Sequence, residues 1–407
     1  MQVERRCGQC GQLIPWGEQE CPGCSQSGRF WWSMPRNTFL LLSFLVPIIL
    51  FVTTTLAVKA YRAKQRALAQ QWFDAGEREL RAGRAEAALG DFRSALVYSR
   101  NDSLVELQLA HALAAAGHLP EARAYLLGLW EREPGSGTVN LELARLAAHS
   151  GSVPEAVQYY HDAVYGQWDN DPAEHRRRAR LELAEFLSSV GQQAQAQAEL
   201  IALTADLPRD AALETQVASL LLKTGEYEHA VPLFHQALRL RPNYTPALEG
   251  AGEASFEMRN YRDARRYLAR AKREGPLSTH SQSLLDTATL ILEVDPLAPR
   301  LSGQERVHRA LQAFSQSMER LSGCAAARGV SLENGQPPSD FQKMHELALA
   351  LRPKVRQRNL ARDPDLLIKV TDMVFEIEKL TERACGEPQG VDLALLLLSR
   401  VQEGGNE

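Results

Sequence analysis

The chain has 407 residues, 46 Lys and Arg against 50 Asp and Glu, a net charge of −4, and 44% hydrophobic residues. This length allows a sizeable core, and this charge balance forces no polyanionic partner. Outside the first 28 residues no period-two alternation appears, so the remainder reads as helix.

Residues 1–28 contain Cys7-Gly-Gln-Cys10, ten further residues, then Cys21-Pro-Gly-Cys24. Two CxxC knuckles at this separation suit four thiolates around one tetrahedral zinc. Gly8, Gly11 and Gly23 permit the tight knuckle turns. So short a segment has no hydrophobic core. Metal binding must supply its fold, and structural zinc contributes about 10–16 kcal/mol in comparable peptides. The segment resembles the short zinc ribbons at the start of many bacterial membrane proteins, which implies a structural zinc on Cys7, Cys10, Cys21 and Cys24. Two disulfides are the alternative in an oxidising compartment. A nucleic-acid contact would rest on Arg5, Arg6 and Arg29, which Glu4, Glu18 and Glu20 offset.

A linker over 29–37 leads to residues 38–58, which hold no charged residue across 21 positions, 14 of them Leu, Ile, Phe or Val. At 1.5 Å per residue this length spans a hydrocarbon layer of about 30 Å. Trp31 and Trp32 would mark one interface and Tyr61 the other. A cleaved signal peptide has a shorter apolar run. Residues 59–68 then read as a helical connector. Orientation is argued both ways. Lys59, Arg62, Lys64 and Arg66 follow the span against Arg29 and Arg36 before it, which places the following part in the cytosol. Free thiols persist in reducing compartments, which places the cysteine segment there instead. The second argument is preferred: cysteine segment inside, the rest outside.

Residues 69–294 read as one solenoid, in which 69–278 repeat six times at a period of 34. First helices carry Ala75-Gly76, Leu109-Ala110, Leu143-Ala144, Leu183-Ala184, Val217-Ala218 and Ala251-Gly252. The turns carry Gly83, Gly117, Gly151, Gly191 and Gly225, then Arg259, for which a different turn is expected. Ala88, Ala122, Ala156, Ala196, Ala230 and Ala264 follow five residues later. Phe92, Leu126, Tyr160, Leu200, Phe234 and Leu268 come four residues after those. Small residues let two helices approach closely, and glycine supplies a backbone conformation that side chains with a Cβ resist. Asp171 to Arg176 interrupts the period between the third and fourth copies. Residues 279–294 read as a capping helix.

These residues resemble the tetratricopeptide repeat family over roughly half the chain. The resemblance implies an all-α solenoid of helical hairpins whose first helices line a concave, partner-binding groove. Here those positions hold Asp74, Glu77, Arg81, Gln108, His111, Glu142, Arg145, His149, Glu182, Glu185, Gln216, Lys223, Glu253 and Glu257. The mixture leans acidic and favours a basic or polar partner segment. The paired Lys and Asn that clamp a C-terminal carboxylate in some members are missing.

Residues 295–407 read as a second helical unit, a cap for the solenoid or a small docking bundle. Val307, Leu311, Phe314, Met318 and Leu321 form one apolar stripe, and Phe341, Met344, Leu347, Leu349 and Leu351 another, both read as core. Cys324 and Cys385 each end a helix; they form one disulfide or stand as two buried thiols. Closing that loop would stabilise by about 4 kcal/mol in the chain-entropy model.

No Gly-rich phosphate loop, HExxH or GxSxG occurs, so a non-enzymatic role is expected. His111, His118, His149 and His161 fall in consecutive copies but read as solvated. The reading is a single-pass protein of the bacterial inner membrane, its cysteine segment cytoplasmic. It acts as a scaffold for a protein or peptide partner in envelope assembly, secretion or pilus biogenesis, settings suggested by the resemblance alone. The alternative is a cytosol-facing signalling or transcription adaptor whose ribbon contacts nucleic acid or protein.

Overall fold

The computed structural model describes residues 5–24, 36–333 and 339–404. The chain forms two compact units, Met1–Pro134 and Gly135–Glu407. Trp31, Trp32 and Arg29 lie outside the described residues, as do 334–338 of the loop before residue 340.

In the first unit a short antiparallel hairpin pairs β1 (Arg5–Arg6) with β2 (Leu13–Ile14). Helix α1 runs unbroken from Arg36 to Arg81. It therefore contains the apolar run, the basic connector and the first helix of the first repeat. Helices α2 (Ala85–Tyr98), α3 (Ser103–Ala115) and α4 (Leu119–Arg132) complete two hairpins. The small residue at Gly76 is required by space: a Cβ there would lie 2.8 Å from the Phe92 ring. Phe73 meets the same ring edge-on, centroids 5.8 Å apart. Ala88, Phe92, Leu109, Ala110, Leu113 and Ala122 are fully buried around this contact. Glu79, which stands where the repeat pattern wants an aromatic, pairs with Arg84 on the surface.

The second unit continues the alternation with α5 (Gly137–His149), α6 (Val153–Tyr165), α7 (Pro172–Ser189) and α8 (Gln193–Thr204). Then come α9 (Ala211–Lys223), α10 (Tyr227–Leu240), α11 (Thr245–Glu257), α12 (Tyr261–Glu274) and the capping helix α13 (Thr279–Val294). Within this unit each helix from α5 to α13 packs on its sequence neighbour, as an α-solenoid requires.

Two local details depart from the sequence reading. The sixth turn is the same turn as the others. Arg259 has φ 59°, close to the 86° of Gly225. Its N–H reaches Phe256 O at 2.8 Å, and Asn260 N reaches Ser255 O at 2.8 Å, the register seen at Gly225 and Glu226. The left-handed conformation costs a non-glycine residue about 1–2 kcal/mol. A hydrogen bond from the Arg259 guanidinium to the Arg400 carbonyl offsets that cost.

The turn just ahead of the insertion builds a plug. A parallel bridge joins Ser136 to Gln167. Trp168 then covers Gly137, where a Cβ would fall 2.3 Å from the indole. The indole N–H donates to Ala163 O at 3.0 Å, and the ring stacks on His175 at 4.7 Å. The extra residues lengthen α7 to 18 residues against 13 in α5.

Beyond α13 stand α14 (Gly303–Ala327), α15 (Asp340–Leu351), a 3-10 turn at Arg352–Lys354, α16 (Gln357–Leu360), α17 (Pro364–Cys385) and α18 (Gly390–Gly404). Their core is continuous with Tyr261, Ala264, Ala288 and Ile291 of the last repeat and capping helix. Val307, Phe314 and Leu321 are buried as expected. Leu347 and Leu349 are not: they are 59% and 40% exposed. The second stripe mixes two faces of a helix, since positions 347 and 349 point about 200° apart. Cys324 and Cys385 are joined as a disulfide, their Cα atoms 6.0 Å apart, linking α14 to the end of α17.

Candidate metal centre and partner-binding groove

The β1–β2 hairpin folds the first knuckle back on itself. Cys7 N donates to Gln12 O at 2.9 Å, and Gly11 N donates to Cys7 O at 2.9 Å. Gly11 takes φ 68°, which favours glycine. In the second knuckle Cys24 N donates to Cys21 O at 3.2 Å. These turns bring four sulfurs within 4.8 Å of one another. Cys7 and Cys24 are 3.6 Å apart, Cys10 and Cys21 3.5 Å. A zinc with sulfurs at about 2.3 Å in a tetrahedron needs S–S edges of about 3.8 Å. All four cysteines are free thiols, so the geometry fits a metal and not two disulfides. Amide N–H groups of Cys10 and Gln9 pull the Cys7 thiol down to about 6. Hydrogen bonds with Cys10 and Cys7 push Cys24 up to about 12. Among the described residues no other group of His, Cys, Asp and Glu gathers in this way. His118 instead faces Glu86 at 3.0 Å, and His161 faces Glu199 at 3.9 Å.

From residue 43 to residue 58 every side chain of α1 is exposed. Residues 43–81 include a stretch of mean hydropathy 1.9, with none of it buried. Phe44, Ile48, Leu50, Phe51 and Leu56 are each at least 59% exposed. The hydroxyls within this run are turned inward: Thr53 donates to Ile49 O at 2.8 Å and Thr54 to Leu50 O at 2.7 Å. A core helix would be covered and a solvated one would be polar. This helix is long and apolar enough to cross a membrane.

The predicted groove positions divide between the units. In the first, Asp74 accepts from Gln70 at 2.8 Å and Arg81 pairs with Glu77 at 3.2 Å; His111 is exposed and Gln108 half-buried. In the second, α5 and α7 bring three of them together. Arg145 grips Glu182 with two parallel hydrogen bonds of 2.8 and 2.6 Å and reaches Glu142 at 2.6 Å. Glu182 thereby holds the guanidinium well above its usual range. Arg178 also reaches Glu182 at 3.3 Å. Burial, reinforced by Glu182, pushes the Tyr160 hydroxyl up to about 12. Farther on, Gln216 donates to Glu185 at 2.9 Å, and Glu253 faces His280 at 3.4 Å. His149, Lys223 and Glu257 are exposed and stand apart from these pairs. Among the predicted groove positions of the second unit carboxylates outnumber cations, and one arginine is already committed to two of them.

Two family models described as "Tetratricopeptide repeat" match residues 107–175 and 221–286. Among solved structures, YrrB, described as a TPR protein with an unusual peptide-binding site, is similar at 18% identity. The match covers 47% of this chain and 95% of that one, TM-score 0.39. A tetratricopeptide repeat protein from Parabacteroides merdae is similar at 14% identity, covering 61% and 92%, TM-score 0.39. PilW, described as a type IV pilus biogenesis factor, is similar at 18% identity, covering 53% and 98%, TM-score 0.41. No curated relative matches the chain.

Proposed function

Because the chain belongs to the tetratricopeptide-repeat family, we propose that it is a membrane-anchored, non-catalytic scaffold that holds a basic or polar segment of a protein partner. The observation that carries this reading is the first-helix surface of α5, α7, α9 and α11. There, at the predicted groove positions, Glu142, Glu182, Glu185, Glu253 and Glu257 outnumber Arg145 and Lys223, while Arg176, Arg177, Arg178 and Arg180 of α7 lie outside those positions. The hairpins beneath are fully packed, so the surface is preformed and little ordering cost opposes binding. The four N-terminal cysteines hold a structural zinc in this reading, and the apolar part of α1 spans the inner membrane of a bacterium. The biological setting is envelope assembly or secretion.

A labelled Lys-rich extended peptide and fluorescence anisotropy test the groove. Replacing both Glu185 and Glu257 by Gln removes two carboxylates that no arginine engages among the described residues, each contributing about 1.5–3 kcal/mol as a charge-assisted partner. Affinity is expected to fall at least tenfold, and more steeply at low salt. Unchanged affinity rejects the groove as the site.

For orientation, the free ribbon thiols and the Cys324–Cys385 bond favour opposite sides of the membrane, ribbon cytoplasmic and repeats outside. In intact cells, an impermeant reductant followed by an impermeant maleimide is expected to label Cys324 and Cys385 and to spare the ribbon. Label on the ribbon alone reverses the orientation.

A further inference from the structure

One segment of the C-terminal helices carries charge of the opposite sign to the predicted groove positions. Between α15 and α17 the sequence runs Arg352-Pro-Lys354-Val-Arg356-Gln-Arg358-Asn-Leu-Ala-Arg362, five cations and no acid in 11 residues. All five are exposed, and none joins an ion pair among the described residues. Two other arginines of this unit are paired, Arg309 with Glu305 at 2.8 Å and Arg320 with Glu378 at 3.0 Å. The segment is held in place. Leu360 is 3% exposed in the core, and Leu351 and Val355 pack against the same core. The cations are thus displayed from a fixed backbone.

Beside them lies an apolar groove between α15 and α17. Met344, Leu347, Leu351 and Met373 line it, with Lys354 and Lys369. Asp372 and Glu376 line it one and two turns farther along α17. Leu347 is 59% exposed and Ile368, one turn before Asp372, is 46% exposed. Large apolar side chains uncovered beside an unpaired basic run mark a contact surface.

We propose that this groove and the 352–362 cations form a second docking site, taking an amphipathic helical segment of a protein partner that is acidic at the end lying over 352–362. The α15 face is 12 residues long, about 18 Å at 1.5 Å per residue, enough for three turns of a facing helix. Methionines adapt to a facing apolar ridge. Unpaired guanidinium groups match carboxylates as two-pronged donors. Lys354 and Lys369 at one end, Asp372 and Glu376 beyond, orient the segment. A flat anionic lipid surface would satisfy the cations but leave the recessed Met344 and Met373 floor unfilled, so a protein helix fits better. The inference is independent of the concave-groove reading.

The test uses the full chain in phosphatidylcholine nanodiscs and a labelled synthetic helix, with Leu at i and i+4 and Glu in one terminal pair of turns. A second peptide carries Lys in place of Glu. The acidic peptide is expected to bind and the basic one to bind at least tenfold more weakly at this surface. Joint substitution Arg356→Gln, Arg358→Gln and Arg362→Gln should weaken the acidic peptide at least tenfold, with loss of its salt dependence. Leu347→Asp should do the same without removing the salt dependence. Glu185→Gln with Glu257→Gln should leave this binding unchanged. All substituted side chains are exposed or half-buried, and thermal unfolding checks that each variant folds. Equal binding to all variants overturns the proposal. So does capture of phosphatidylglycerol vesicles that depends on the three arginines while the acidic peptide fails to bind.

Discussion

Cys21→Ser is expected to abolish metal binding and to leave residues 5–24 without fixed structure, while the repeats stay folded. Among the described side chains of that segment only Cys21 is buried, at 8% exposure; Leu13 is 47% and Trp16 86% exposed. With so little apolar contact, the two strands of two residues each cannot hold the segment. Zinc on four thiolates, about 10–16 kcal/mol in comparable peptides, must supply the stability. Without a cation the thiols oppose one another's ionisation: Cys7 ionises first, near 6, and Cys24 is held neutral up to about 12. A divalent ion inverts that order by favouring all four thiolates. Because binding releases protons, affinity is expected to fall as pH falls. Atomic absorption should find one zinc per wild-type chain, lost on chelation or acidification. Amide dispersion of residues 5–24 should collapse with it. Native dispersion in metal-free Cys21→Ser protein would overturn the assignment.

Arg320→Met is expected to destabilise the second unit by about 1.5–3 kcal/mol, the cost of losing the charged hydrogen bonds that tie α14 to Thr381 and Gly386. Arg320 joins three elements. It donates to Thr381 Oγ1 at 2.7 Å and to Gly386 O at 3.3 Å, and it lies 3.0 Å from Glu378 and 3.7 Å from Asp392. Glu378 is fully buried. Burial, reinforced by the charge of Asp392 and opposed by Arg320, raises its carboxyl to about 8. That is above the unfolded value of about 4.3. The stability linked to this group is therefore complete below about pH 4.3 and is lost as pH rises through about 8. Between pH 5 and pH 9 the unfolding free energy should drop by on the order of a few kcal/mol. Glu378→Gln should flatten that slope. Chemical denaturation across this range decides it; a wild-type slope retained by the Gln variant rejects Glu378 as its source.

The site residues differ in how far they could be read from the sequence. Four cysteines in two CxxC pairs are legible because each knuckle is closed by chain neighbours, such as Gly11 N to Cys7 O. The repeat glycines are legible because a left-handed turn selects glycine locally. Arg259 shows the limit of that rule. Its turn is paid for by the Arg400 carbonyl, 141 residues away, which no local pattern contains. The Arg145–Glu182 clasp spans 37 residues and depends on how α5 meets α7 across the Trp168 plug. Leu347 and Leu349 satisfied an apolar tally, yet which face α15 buries is set by α14 and α17.

What the sequence determined by itself is everything that repeats or closes within a few residues: helices, turns, the apolar run and the metal-ligand spacing. Local backbone preference and periodicity encode these directly. Tertiary structure decided which charges neutralise one another, which apolar side chains stay uncovered, and how Glu378 titrates. Each of those depends on the orientation of helices far apart in the chain, and the energy of a buried contact is set by that orientation rather than by the residues' identities alone.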